Sequence, residues 1–274
     1  MDGNQPDTVL TCDLQGVART LLIPLWARAQ ETLRTDGIIR DPWAVRMLQK
    51  LDVDLSSFEN GWKSQTGIAI RTWLLDREIA QWQSRHPDGY IVLLGGGLDA
   101  RCWRLDNGVT RWVVVDLPEV ITLRTTLFPG ENNRIEQIAG SALDAEWENR
   151  VAPGAPVLLV AEGLFMYFSE PQLRPWLCGL AQRYPGAELL FESVSPAFVK
   201  SRQRHDLLRQ FDAQFLWGIS DGRDLETWSK KLRFVQQWSY ISLFPHRWRW
   251  VRYLRWLPAL KATTQLHKFI FSQS

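Results

Sequence analysis

The spacing of apolar and polar positions divides the chain into three stretches. From Gly16 to Leu51 the period is helical: Val17, Leu21, Leu22, Leu25 and Trp26 share one face despite Pro24. Asp41-Pro42 reads as the N-cap and first position of a further helix. Ile68 to Trp82 predicts another amphipathic helix, closed by the turn signal His86-Pro87-Asp88-Gly89. Short apolar runs then replace the helical period. Ile91–Leu94, Trp112–Val115, Arg134–Ala139, Val157–Ala161 and Glu188–Glu192 predict strands, with Pro129-Gly130, Pro153-Gly154 and Pro185-Gly186 as punctuation. Alternating strand and helix predicts an α/β fold, a doubly wound parallel sheet with helices on both faces. Beyond Val194 the pattern changes again. Residues 198–231 look helical and polar-aromatic, Phe234–Ile241 and Leu266–Phe271 look like strands, and 246–260 is basic and tryptophan-rich. Residues 1–15 are polar and expected to be loosely held.

Composition narrows the function classes. A chain of 274 residues with 45% hydrophobic and 23% charged content is ordinary for a globular protein with a sizeable core. A net charge of +2 argues against a nucleic-acid binder that works by phosphate neutralisation. Cys12, Cys102 and Cys178 lie far apart, so neither a disulfide framework nor a metal site is suggested. Without a secretory signal pattern or an apolar stretch of spanning length, the expectation is a cytoplasmic protein with no membrane partner. The outlier is tryptophan, with 15 residues, suited to a core and equally to a pocket for an aromatic ligand.

The chemistry concentrates between Ile91 and Asp116. The run Ile91–Leu94 stops at Gly95, Gly96 and Gly97, and the next apolar run ends on Asp116. Glycines let the backbone approach a ligand closely, and a carboxylate about 20 residues on can accept hydrogen bonds from ribose hydroxyls. Asp116-Leu117-Pro118 is a sharp strand exit, leaving the carboxylate at the edge of the sheet where ligands bind. An adenosine-containing cofactor is implied. The loop also satisfies G-x-G-x-x-A, so the glycines alone leave a nicotinamide-dependent oxidoreductase open.

Leu94-Gly95-Gly96-Gly97-Leu98-Asp99-Ala100-Arg101, Val115-Asp116-Leu117-Pro118 and Ala161-Glu162-Gly163-Leu164-Phe165-Met166-Tyr167-Phe168 together resemble the leucine carboxyl methyltransferase superfamily, a branch of class I S-adenosylmethionine-dependent methyltransferases. Pro24–Glu31 and Phe215–Ile219 are most similar to its bacterial tetracenomycin-type polyketide O-methyltransferases. The resemblance spans roughly residues 17–240. It implies a Rossmann-like class I methyltransferase fold, with an N-terminal helical cap and C-terminal insertions. Residues 1–88 would form the cap, 89–195 the cofactor-binding core, and 196–274 the substrate cap and final strands of a single domain. S-adenosyl-L-methionine is the implied cofactor. Arg71 would then pair with its carboxylate, a match of guanidinium fork to carboxylate, and Glu162, beside Gly163, would meet its amino group. Gly140-Ser141-Ala142-Leu143 would hold the adenine. Leu93 and Leu94 stand where many class I enzymes place an acid, as is usual for this branch.

Methyl transfer to a phenol or alcohol gains from a general base, while a carboxylate needs none. His205 and Tyr167 are the candidates for that role; His86 and His267 read as ordinary surface or core histidines. The implied substrate is a small, aromatic hydroxyl compound. A carboxyl methyltransferase acting on a protein C-terminus or a carboxylic acid is the alternative within the family. The stretch His246–Leu257 interleaves arginines with aromatics, a pattern that can stack bases or sit at a membrane interface. The simpler reading is an amphipathic cap helix, with Trp248, Val251, Leu254 and Leu257 inward and Arg249, Arg252 and Arg255 solvated.

Overall fold

The computed structural model describes residues 10–11, 16–128, 132–201 and 214–273. Ahead of the main sheet come strand β1 (Leu10–Thr11), helices α1 (Gly16–Arg19), α2 (Leu22–Leu33) and α3 (Pro42–Lys50), strand β2 (Leu51–Asp52) and helix α4 (Trp62–Arg85). Pro24 falls in the first turn of α2, where a missing N–H breaks no helical hydrogen bond. Asp41 caps α3 as its position predicts, accepting from the Ala44 N–H at 3.2 Å. Leu10–Thr11 pairs with Leu51–Asp52 as a parallel ladder, too short to leave a period in the sequence.

The main sheet contains β3 (Tyr90–Leu94), β4 (Arg111–Asp116), β5 (Ile135–Ala139), β6 (Val157–Ala161), β7 (Glu188–Val194), β8 (Leu232–Ser239) and β9 (Thr264–Phe271). Their spatial order is β5-β4-β3-β6-β7-β9-β8. The first five are parallel, and β9 runs antiparallel between β7 and β8. Helices α5 (Arg101–Arg104), α6 (Pro118–Leu127) and α7 (Glu170–Arg183) lie in the crossovers, and the short helices α8 (Pro196–Val199) and α9 (Pro258–Lys261) follow. Every residue of β6 and β7 is buried, as expected of strands covered on both faces. On one side of the sheet, Ile70, Leu74, Ile79 and Trp82 of α4 pack on Ile91, Leu93 and Leu158. The N-terminal helices pack around the glycine loop itself, where Leu98 and Ala100 join the core of Leu25, Trp26 and Met47.

Two C-terminal expectations need correction. The described part of 198–231 is mostly irregular, with α8 and a 3-10 turn at Gly222–Thr227 in place of a long helix. Residues 246–260 do not form one amphipathic helix. A 3-10 segment, Pro245–Leu254, is broken at Arg249, whose φ of 48° is left-handed, and α9 follows it. Trp248 points inward as predicted, but Leu254 is exposed, and Val251 and Leu257 are half-buried. Local periodicity cannot report such a break. No helix among the described residues is long and apolar enough to cross a membrane.

Register decides what meets at the sheet edge. Leu94 pairs with Val115 on one side and Ala161 on the other, and Ala161 pairs with Phe191. The next residue of each strand is Gly95, Asp116, Glu162 and Glu192. Four chemically distinctive positions therefore stand level at the carboxyl ends, around the β3–β6 switch point where open α/β sheets bind ligands.

Candidate active site

The chain leaves β3 through a turn that glycine alone suits. Gly95 and Gly97 have φ of 64° and 48°. A Cβ on Gly96 would lie 2.4 Å from Val114 Cγ1, so the loop sits down on β4. Gly95 and Gly96 both donate to the Val115 carbonyl, at 2.8 and 3.1 Å. From behind, the buried Arg124 of α6 donates to the carbonyls of Gly97 and Asp99. From above, Arg28 of α2 donates to the Leu98 carbonyl at 2.8 Å. Two arginines thus hold the loop's outward carbonyls and fix its shape.

Asp116 is tied to that loop. Its Oδ2 accepts from the Gly97 N–H at 2.6 Å and its Oδ1 from the Leu117 N–H at 2.7 Å. Burial raises its pKa, with these two N–H bonds opposing the rise. A carboxylate oxygen accepts about two hydrogen bonds, so each retains a site for a donor arriving from the cavity. A vicinal diol supplies two such donors.

Beyond Asp116 lies a buried network of charges. Arg71 reaches from α4 to the tips of β6 and β7. Its Nη1 donates to Glu192 Oε2 at 2.7 Å, and its Nε lies 2.7 Å from Glu162 Oε1. The second contact is an ion pair without hydrogen-bond alignment, leaving the buried Nε–H without a bonded acceptor. Arg101 donates to Glu162 at 2.9 Å, to Asp76 at 2.7 Å and to Asp99. Arg104 joins Asp76 to Asp41, which also pairs with Arg28. Burial alone would push the Asp99 carboxyl up, but Arg101, Arg28 and their neighbours outweigh it and hold the group at about 2. Glu162 is lowered in the same way by Arg71 and Arg101, against burial. Glu192 behaves oppositely. Burial raises its pKa, and its single cation, Arg71, does not offset that fully.

Arg28, Arg71, Asp99, Arg101, Asp116, Glu162 and Glu192 border one cavity of about 1060 Å³. Of the residues singled out in the sequence, Arg71, Gly95, Gly96, Gly97, Asp116, Leu117, Ser141, Ala142, Glu162, Gly163 and Tyr167 all border it. Leu143 does not: its N–H turns back to Ser141 Oγ at 3.2 Å. The Ala142 carbonyl is already taken by Trp147 Nε1 at 3.2 Å. His205 lies outside the described residues. Tyr167 faces Thr20 Oγ1 at 3.3 Å and packs edge-on against Phe215, and burial raises its pKa. A phenol so placed keeps its proton at neutral pH, so it can donate a hydrogen bond but cannot act as the base. His267 is a core residue, fully buried and bonded to Ser193 Oγ at 2.7 Å.

Arg28, Arg124 and Glu192 join the site beyond the residues singled out in the sequence, and Arg101 of the glycine motif proves to be its central cation. Arg101 directly follows the glycine motif, and Glu192 ends an apolar strand as Glu162 does. That second signal, an acid at a buried strand tip, was available.

Residues 22–177 match the leucine carboxyl methyltransferase family. The chain is 34% identical over 233 residues to the tetracenomycin polyketide synthesis O-methyltransferase TcmP of Streptomyces glaucescens, covering 85% of this chain and 86% of that one. The chain belongs to the leucine carboxyl methyltransferase family. It is also 25% identical over 245 residues to the S-adenosyl-L-methionine-dependent methyltransferase dpfgK of Gibberella zeae, covering 82% of each. In fold, it is similar to the plantazolicin methyltransferase BamL (TM-score 0.50, 11% identity, 94% of this chain and 98% of that one). A DUF574 family protein from Streptomyces avermitilis shares the fold as well (TM-score 0.57, 11% identity, 90% and 97%). The protein is therefore a class I S-adenosylmethionine-dependent methyltransferase. The sheet order agrees, because the antiparallel β9–β8 pair stands where a dinucleotide-binding fold would continue with a parallel strand.

Proposed function

We propose that this methyltransferase methylates a hydroxyl group of an aromatic small molecule of the polyketide kind. The observation that carries the reading is the cavity's second half. Past Glu162 and Glu192 it continues between Tyr167, Phe198, Phe215, Tyr240, Trp248 and Trp250. Its total volume of about 1060 Å³ exceeds the range of about 300–1,000 Å³ usual for one ligand. That leaves room for a planar acceptor beside the cofactor. The name of TcmP, a polyketide O-methyltransferase, supports the same class.

The residues fit S-adenosylmethionine at its three polar handles. Asp116 offers two acceptor sites to the ribose diol. The Arg71–Glu162 pair presents opposite charges side by side for the zwitterionic end, the unbonded Nε–H of Arg71 included. Ser141 and Ala142 border the adenine position. When bound, the cofactor supplies an activated methyl on a sulfonium, which leaves the protein to align the acceptor and exclude water. One domain, 1–274, performs this: 1–88 cap the site, 89–195 hold the cofactor, and 196–274 cover the acceptor.

Glu192 takes the acceptor's proton, and Tyr167 and Tyr240 orient the hydroxyl. The Glu192 carboxyl borders the aromatic chamber and pairs with Arg71, and burial raises its pKa, which strengthens it as a base. An acceptor carboxylate would meet this buried charge with like charge, whereas a neutral hydroxyl does not. Incubation with S-adenosylmethionine and a panel of aromatic hydroxyl compounds, read by mass spectrometry, tests the proposal. Methylated phenols support it. Methylation confined to carboxylic acids overturns it.

A further inference from the structure

The 3-10 segment Pro245–Leu254 and the turn after it carry an exposed surface of which only Trp250 and Leu254 also border the cavity, while Arg249, Arg252, Tyr253, Arg255 and Trp256 stand outside it. Trp250, Tyr253 and Trp256 are 61%, 64% and 68% exposed. Arg249, Arg252 and Arg255 alternate with them and are also exposed. The segment is nevertheless firmly held from within. Arg247 donates to both oxygens of the buried Glu31, at 2.6 and 2.8 Å, and Trp248 Nε1 donates to the carbonyls of Tyr240 and Leu243. The Arg249 guanidinium stacks 4.8 Å over the Trp62 ring. Outward-facing aromatics on a fixed scaffold are a built surface, and contiguous exposed patches of this kind mark interaction sites.

Three observations say what covers it. The polar tips of the outermost aromatics are already bonded within the patch: Trp256 Nε1 donates to the Tyr253 carbonyl at 2.6 Å, and Tyr253 Oη accepts from Arg252 at 2.7 Å. The Trp256 ring can therefore leave water without losing its N–H bond, and Tyr253 keeps an accepted bond while its O–H stays free to donate to a lipid phosphate. Charge is the second. From Thr227 to Ser274 the chain has nine lysines and arginines and no aspartate or glutamate, although the entire chain is only +2. A second copy docked through the same face would set cation against cation. Position is the third. Tyr253 and Trp256 lie outside the cavity, so a bound substrate does not explain them, yet Trp250 and Leu254 of the same patch form its rim.

We propose that residues 249–256 dock this methyltransferase onto an anionic lipid surface, with the cavity mouth facing the bilayer. Arginines beside interfacial tryptophan and tyrosine are the composition that binds such surfaces, the rings at headgroup level and the guanidinium groups against lipid phosphates. The occupant is a lipid surface because the patch joins exposed aromatic rings to exposed arginines, the pairing that suits headgroups and lipid phosphates.

The test is co-sedimentation of the full chain with vesicles of phosphatidylcholine alone or mixed with phosphatidylglycerol. Binding to the mixed vesicles, lost at high salt, is expected. Arg252→Gln with Arg255→Gln should weaken it roughly twenty-five-fold, at about fivefold per arginine. Tyr253→Ser with Trp256→Ser should weaken it at least about tenfold. All four positions are outside the cavity, so S-adenosylhomocysteine affinity should stay unchanged and report an intact fold, separating failure here from failure of the proposed reaction. No binding to anionic vesicles overturns the proposal, and so does binding indifferent to both double variants. Binding to poly-glutamate without binding to vesicles, or dimerisation abolished by the same substitutions, would also overturn it.

Discussion

Asp116→Ala is expected to weaken cofactor binding by a calculable amount. The carboxylate bridges the glycine loop and the β4 exit through N–H bonds of 2.6 and 2.7 Å, and its remaining acceptor sites face the cavity. A hydrogen bond to a charged group contributes about 1.5–3 kcal/mol. One such bond lost from the diol raises Kd about 12- to 160-fold. Two lost bonds would raise it further, less whatever a replacement water recovers. The substitution also orphans the N–H groups of Gly97 and Leu117, at about 1–3 kcal/mol each where water cannot reach them. A lower melting temperature is therefore expected as well. Asp116→Asn is the control. It keeps one acceptor oxygen but turns an amide NH₂ toward a backbone N–H, so it should fall between wild type and alanine. Isothermal titration with S-adenosylhomocysteine measures the affinities, and circular dichroism confirms folding. An unchanged Kd in a folded Asp116→Ala variant refutes the assignment of Asp116 to the ribose.

Other outcomes follow from the same geometry. Arg71→Met leaves Glu162 and Glu192 adjacent without the cation between them; breaking a buried pair costs up to about 3–5 kcal/mol. The loss of melting temperature should be largest at high pH, where both acids are ionised, and shrink as pH falls; a pH-independent loss counts against the pairing. Glu192→Gln should lower kcat about 10²- to 10⁴-fold with S-adenosylhomocysteine affinity little changed, and wild-type kcat would remove Glu192 as the base. His267, whose pKa burial pushes down to about 3, stays neutral in the fold but titrates near 6.5 when unfolded. Its contribution is present above about pH 6.5 and is lost as pH falls toward 3, about 2 kcal/mol by pH 5. Denaturant titrations of wild type and His267→Phe should show that slope in wild type and a shallower one in the variant.

Strands β3, β4 and β6 were legible because burial on both faces leaves unbroken apolar runs, and each predicted strand of the main sheet lies within two residues of the observed one. The glycine loop, Asp116 and Glu162 were legible for a related reason. A charge or a triple glycine at the end of such a run has few structural explanations. The arginine scaffold was not. Arg71 meets Glu192 across 121 positions and Arg101 meets Glu162 across 61, so no local pattern holds the pairing. The 246–260 segment failed for a different reason. Its spacing fits a helix, but left-handed Phe244 and Arg249 break the backbone where buried Arg247 and Trp248 anchor it, a tertiary demand invisible to periodicity.

The central claim is transfer of a methyl group to an aromatic hydroxyl, and the bond formed tests it most directly. The methyltransferase is incubated with methyl-labelled S-adenosylmethionine and the aromatic acceptor found by screening, and the product is treated with mild alkali. Label retained in the product, as an aryl ether requires, is the predicted result. Label released as methanol would show an ester and contradict the account.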